Sequence, residues 1–161
     1  MKKPTKESIR IAGYISEFLN NYVLSQKTDS MNTLKSYRDT LALYLTYLEE
    51  EKKVQCGSLS ADAFHHTVIE EWLAWLQKSR KNSPDSCNNR LAALRAFLKY
   101  LSGRDAAYLH LYLEASEIPR RKCLKKKVEG LTREAVKALM EAPDPSSKCG
   151  RRDLAFIILL Y

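Results

Sequence analysis

The sequence predicts an all-α fold. Apolar residues recur at three- and four-residue spacing along nearly the whole chain, the signature of helices with one buried face. No stretch shows the apolar–polar alternation of a half-buried strand, and no internal repeat is evident. The stripes are separated by polar runs and by Gly or Pro, which end helices. With 161 residues, 45% of them hydrophobic, the chain can build one ordinary domain or one and a fraction. Full disorder is thereby excluded, and five Gly and five Pro exclude a collagen-like or low-complexity chain.

The first helix carries the stripe Ile11, Tyr14, Ile15, Phe18, Leu19, Tyr22 and Val23, ended by the polar break Ser25 to Ser30. Ser30 suits the N-cap of a second helix, with stripe Leu34, Tyr37, Leu41, Tyr44, Leu45 and Leu48. The run Glu49 to Lys53 and Gly57 close it. A third stripe is Val68, Ile69, Trp72, Leu73 and Leu76, ending in Lys78 to Asn82. Ser83-Pro84 opens a fourth helix, because proline suits a first helical turn. Its stripe is Leu91, Leu94, Phe97, Leu98 and Leu101, with Gly103 expected to close it. A short fifth segment spans Ala106 to Ala115. Pro119 and the basic residues after it read as a linker. Beyond Gly130, Thr132 can cap a helix with Val136, Leu139 and Met140, which Pro143 and Pro145 break. A last helix begins near Arg151 and runs into the apolar stretch Leu154 to Tyr161.

The organisation expected is a helical domain over 8–117, a basic linker over 118–130 and a second helical unit over 131–161. A helix apolar on all faces belongs inside a core. Two short helices give too little material for one, since below about 40 residues a domain rarely folds alone. The expectation is therefore that the sequence stops inside a second domain.

Lys and Arg number 27 against 19 Asp and Glu, a net charge of +8. The distribution is uneven. Residues 1–119 hold 16 basic and 14 acidic residues, and 128–161 hold five of each. Arg120, Arg121, Lys122, Lys125, Lys126 and Lys127 stand in eight residues without an acid. Such a run repels itself and favours an extended strand unless a polyanion neutralises it. An acidic partner, nucleic acid or membrane surface, becomes plausible. The longest apolar run near the end has eight residues, against roughly 20 for a membrane span. The basic N-terminus is followed by no apolar signal core, so secretion is not expected.

Cys56, Cys87, Cys123 and Cys149 form no Cys-x-x-Cys pair and no zinc spacing with histidines. His65 and His66 are adjacent, so on a helix they would diverge, and His110 stands apart. No metal and no cofactor are expected. Free thiols fit a reducing cytoplasm. No Gly-rich phosphate loop, Gly-x-Ser-x-Gly elbow or zinc-protease motif occurs, and Glu70-Glu71 read as surface charges.

Two polar faces could carry binding. On the second helix, Thr33, Lys35, Ser36 and Arg38 lie mostly off the apolar stripe. On the fourth, Ser86, Asn88, Asn89 and Arg90 open the helix, with Arg95 and Lys99 further along. Small hydroxyls beside cations can hold phosphates, Asn and Arg can pair bidentately with adenine and guanine, and helix N-termini favour anions. Ordinary solvated faces would look the same. Trp72, Tyr14, Tyr22, Tyr37 and Tyr44 fit core positions, with Trp75 at the edge.

Three segments resemble the tyrosine recombinase (phage integrase) family. Ser30-Met31-Asn32-Thr33-Leu34-Lys35-Ser36-Tyr37-Arg38-Asp39-Thr40-Leu41 resembles the start of the second helix of its core-binding domain. Asn88-Asn89-Arg90-Leu91-Ala92-Ala93-Leu94-Arg95-Ala96-Phe97-Leu98-Lys99-Tyr100-Leu101 resembles the fourth helix. Leu131-Thr132-Arg133-Glu134-Ala135-Val136, followed by residues 150–161, resembles the opening of the catalytic domain. The resemblance implies a four- to five-helix, SAM-like core-binding domain followed by the first two helices of a catalytic domain. Such enzymes clamp double-stranded DNA between the two and exchange strands through a phosphotyrosyl intermediate, without a cofactor. By position it implies DNA contacts from Thr33, Lys35, Ser36, Arg38, Asn89, Arg90, Arg95 and Lys99, with the linker cations along the backbone. The first catalytic arginine, the lysine, the histidines, the second arginine and the nucleophilic tyrosine would all follow Tyr161. Tyr161 itself aligns with the end of a buried helix, and Arg151 and Arg152 precede that helix. The expectation is a cytoplasmic, bacterial or phage-encoded chain that binds DNA as a monomer without cutting it. Its full-length parent would work as a tetramer on DNA. The alternatives are a stand-alone DNA-binding accessory protein, or a helical protein whose linker meets an acidic protein partner.

Overall fold

A computed structural model describes residues 3–27, 30–123 and 130–160. Every regular element among them is helical. The chain divides into a first unit, residues 1–123, and a second, residues 124–161.

Helix α1 spans Lys6–Glu17. Thr5 caps it, its side chain accepting from the Ser8 amide at 3.1 Å. The Ser8 hydroxyl lies 2.9 Å from the Gly57 carbonyl, which also accepts from the Thr5 amide at 3.0 Å. The helix start is thus tied to a short turn at Cys56–Ser58. The coil continues over Phe18–Lys27 with wider, π-type turns. Bonding from i to i+5 brings residues four and five apart onto one face. This agrees with burial of Phe18 and Val23 and with Tyr22 packed against the core.

Helix α2 spans Met31–Glu50 and buries Leu34, Thr40, Leu41, Tyr44, Tyr47 and Leu48. Ser30 occupies its N-cap position, and its carbonyl accepts from Thr33 and Leu34. Helix α3 spans His66–Lys78. Both helices end alike. Lys53 and Lys81 take left-handed backbone (φ 58° and 52°). The next amides, of Val54 and Asn82, then reach back to the carbonyls of Leu48 and Leu76. Each helix is thus closed by a left-handed residue followed by a wide backbone hydrogen bond spanning six residues, with lysine in the place glycine usually takes.

Helix α4 spans Pro84–Arg104 and contacts α2, α3 and the fifth helix. Ser83 caps it by accepting from the Ser86 amide at 3.2 Å. Gly103 does not close α4 as expected; it lies within the last turn. The stop comes at Asp105, whose extended backbone breaks the helix and whose carboxylate accepts from Ala107. Helix α5 spans Leu109–Glu117. The core is rich in aromatic edges. Phe18 meets Phe97 at 5.5 Å, and Tyr44 meets Trp72 at 4.9 Å.

The first unit continues past the expected boundary at 117. Ile118 is buried, and Asn88 holds Arg121 from both sides. Its Nδ2 donates to the Arg121 carbonyl (2.9 Å) and its Oδ1 accepts from the Arg121 amide (2.8 Å). The first half of the basic segment is therefore a strap on α4, not free linker.

In the second unit, α6 spans Arg133–Glu141, capped by Thr132, and α7 spans Lys148–Leu160. Only Gly150 is buried in these two helices. No helix among the described residues is long and apolar enough to cross a membrane.

Candidate nucleic-acid interface

The opening turns of α2 and α4 meet at one furrow. One part is a hollow of about 290 Å³ lined by Asn32, Lys35, Ser36, Asp39, Thr40, Ser86, Asn89 and Arg90. Next to it, Thr33, Ser36, Tyr37, Asn89, Ala92 and Ala93 line a second. Ser36 and Asn89 belong to both. Their size is at or below the low end for small-molecule sites. An open furrow walled by hydroxyls, amides and cations suits an extended polar polymer better than an enclosed metabolite.

The periodicity of each helix explains who faces it. On α2, Leu34, Leu41, Tyr44 and Leu48 fix the buried face, which turns Lys35 and Ser36 outward, both exposed. On α4, Cys87, Leu91 and Leu94 are buried, and Asn89 is exposed while Arg90 is half-buried. The helix N-termini add partial positive charge at the furrow mouth. Asp39 places one carboxylate on its rim.

Five of the residues expected from the sequence therefore line the furrow: Thr33, Lys35, Ser36, Asn89 and Arg90. Arg38 and Lys99 are exposed but do not line it. At about 100° per residue, Arg38 projects on the far side of Lys35 from Ser36, and Lys99 lies about 15 Å along α4 from Asn89.

Arg95 departs from the expectation. Its Nε donates to the Ala115 carbonyl at 2.7 Å, and its Nη2 donates to the carbonyls of Ser116 (3.2 Å) and Ile118. These carbonyls at and just past the end of α5 would otherwise lack partners in the helix. Burial, and then the neighbouring Arg120, lower the guanidinium's pKa below its ordinary value. Arg95 is thus engaged in holding α5 to α4. Asn88 likewise turns inward to the strap. That role went unseen in the sequence, where Asn88 and Asn89 look equivalent.

Arg120 and Lys122 are exposed and Arg121 is half-buried on the strap. Among the described residues the Arg121 Nε finds no partner. Lys125, Lys126 and Lys127 lie outside the described residues.

Residues 15–105 match the family model described as phage integrase, N-terminal SAM-like domain. Among curated proteins, the chain is 27% identical over 154 residues to a Sinorhizobium fredii protein named as an integrase/recombinase, y4rD, covering 96% of this chain and 55% of that protein. It is 32% identical to the tyrosine recombinase XerD of Pseudomonas putida (91% and 46% covered) and 29% identical to XerD of Listeria innocua (91% and 46%). The chain thus spans about half the length of these relatives. No solved structure matches. The matched span runs from the end of α1 through α4 and so contains both walls of the furrow, and through this SAM-like domain the chain belongs to the phage integrase family.

Proposed function

We propose that these residues bind duplex DNA as the N-terminal part of a site-specific tyrosine recombinase acting in DNA integration and recombination. The observation that carries this reading is the convergence of Thr33, Lys35 and Ser36 with Asn89 and Arg90 on one furrow. Lys35 and Arg90 supply phosphate contacts. The hydroxyls and the Asn89 amide offer donors and acceptors to phosphates or base edges. Arg38, Lys99, Arg120 and Lys122, all exposed on the first unit, extend the positive surface along the backbone. The relatives' names as recombinases support a DNA partner, hence action in the cytoplasm where that DNA lies. On this reading the part these 161 residues play is binding, with strand cutting assigned to residues other than those that line the furrow. Tetramer assembly belongs to the full recombinase on DNA, and this chain is a monomer.

The test is fluorescence anisotropy of a labelled duplex titrated with the chain at 50 to 200 mM KCl. Each phosphate contact contributes about 0.9 to the salt slope. The double variant Lys35→Gln, Arg90→Gln is expected to flatten the slope by about 2 and to weaken binding most at low salt. Salt-insensitive binding by the parent, or an unchanged slope in the folded double variant, overturns the reading.

A further inference from the structure

A second group of chemically able side chains lies where α3 meets α5. The expectation that His65 and His66 diverge fails, because only His66 is on the helix. His65 precedes it with extended backbone (φ −62°, ψ 149°), and the change of backbone between them turns both rings the same way. The Nδ1 atoms of His65 and His66 each lie 3.2 Å from one oxygen, Oε2 of Glu114 on α5. The rings are 5.2 Å apart. One donor atom from each of the three residues falls within 4.8 Å of the others. The backbone beneath is fixed: Phe64 and Ile69 are buried, and the Tyr44 hydroxyl donates to the Ala63 carbonyl at 2.6 Å.

Two imidazole nitrogens and one carboxylate oxygen are a donor set for borderline divalent ions such as Zn²⁺. A tetrahedral site with bonds of about 2.0–2.1 Å has ligand–ligand edges of about 3.3 Å. The two observed N···O separations of 3.2 Å match such edges. The charge around the cluster points the same way. Glu70 and Glu117 line a hollow with His66, Glu114 and Ile118, so the approach is acidic on a chain whose net charge is +8. The side chains are 43%, 44% and 30% exposed, which leaves a path for entry and room for water as a fourth ligand. Mg²⁺ and Ca²⁺, which take sets of oxygen ligands, fit poorly.

We infer that His65, His66 and Glu114 form a binding site for a divalent transition-metal ion of the zinc type, which fastens the start of α3 to α5. The ion bridges two helices and binds the folded chain alone, so it stabilises the first unit by mass action.

The test uses the whole chain without an affinity tag, with Cys56→Ser and Cys149→Ser removing the two exposed thiols. Zn²⁺ binding is measured at pH 7.5 by competition with a chromogenic chelator, and Tm is followed with and without the ion. One equivalent is expected to bind with a Kd on the order of 10 µM or tighter. At a hundredfold excess over Kd, Tm should rise by about 10 °C. Glu114→Gln, His65→Gln and His66→Gln, each checked for folding by circular dichroism, should each weaken binding by tenfold or more. His110→Gln, exposed on α5 outside the cluster, should leave it unchanged. No binding below 100 µM, affinity unmoved by the folded cluster variants, or an equal rise in Tm with Mg²⁺ each overturns the inference.

Discussion

Replacing Arg95 separates its two candidate jobs. Arg95→Met keeps most of the aliphatic stem against α4 and removes the guanidinium. Three acceptors lose their donor: the carbonyls of Ala115, Ser116 and Ile118. Hydrogen bonds to charged groups contribute about 1.5–3 kcal/mol each, and an exposed acceptor recovers most of its loss from water. Ala115 and Ile118 are buried while Ser116 is exposed, so two bonds count nearly in full and the third little. Taking the low end of that range, because Arg95 is itself half-exposed, the loss comes to about 3 kcal/mol. For a unit of this size, about 4 °C per kcal/mol gives a fall in Tm of about 12 °C. The assay is thermal unfolding followed by circular dichroism at 222 nm. It is paired with duplex binding at 10 °C, where the variant remains folded. Unfolding should come earlier while the salt slope of binding stays within about 0.3 of the parent's. A Tm within about 3 °C of the parent, together with a slope flatter by about 0.9, would refute the reasoning and return Arg95 to the DNA.

Asn88→Ala should release the strap. The amide's bonds to both sides of Arg121 are lost, and trypsin should cut after Arg120, Arg121 or Lys122 several-fold faster, with the rest of the first unit intact by mass spectrometry. Gly150→Ala should disrupt the second unit alone. An added Cβ would stand 1.9 Å from the Asp144 carbonyl oxygen, a backbone atom that cannot swing aside. Amide hydrogen exchange should speed up across α6 and α7 and stay at parent levels in α1 to α5; unchanged exchange in α7 would mean the turn at 144–150 is looser than its geometry.

The helices were legible because a buried face writes a local rhythm. Leu91, Leu94, Phe97, Leu98 and Leu101 announce α4, and Ser83-Pro84 marks its start to the residue. The furrow was half legible for the same reason, since a residue off the apolar stripe faces outward whatever it binds. The polar residues that turned inward were not. Nothing local distinguishes Asn88, clamped to Arg121, from Asn89, open to the furrow. Arg95 reads as a phosphate ligand until its carbonyl partners appear 20 or more residues away. Glu114 and the histidines it joins are 48 residues apart or nearly so. Even the π-type turns of 18–27 concern a rhythm slightly wrong for the helix assumed. Periodicity records which way a side chain points relative to its own helix. What a polar side chain does depends on which backbone or charge another helix brings to meet it. In a bundle where α4 touches α2, α3 and α5, a cation on α4 can serve the DNA or the fold. Measuring stability and salt slope on the same variant distinguishes the two.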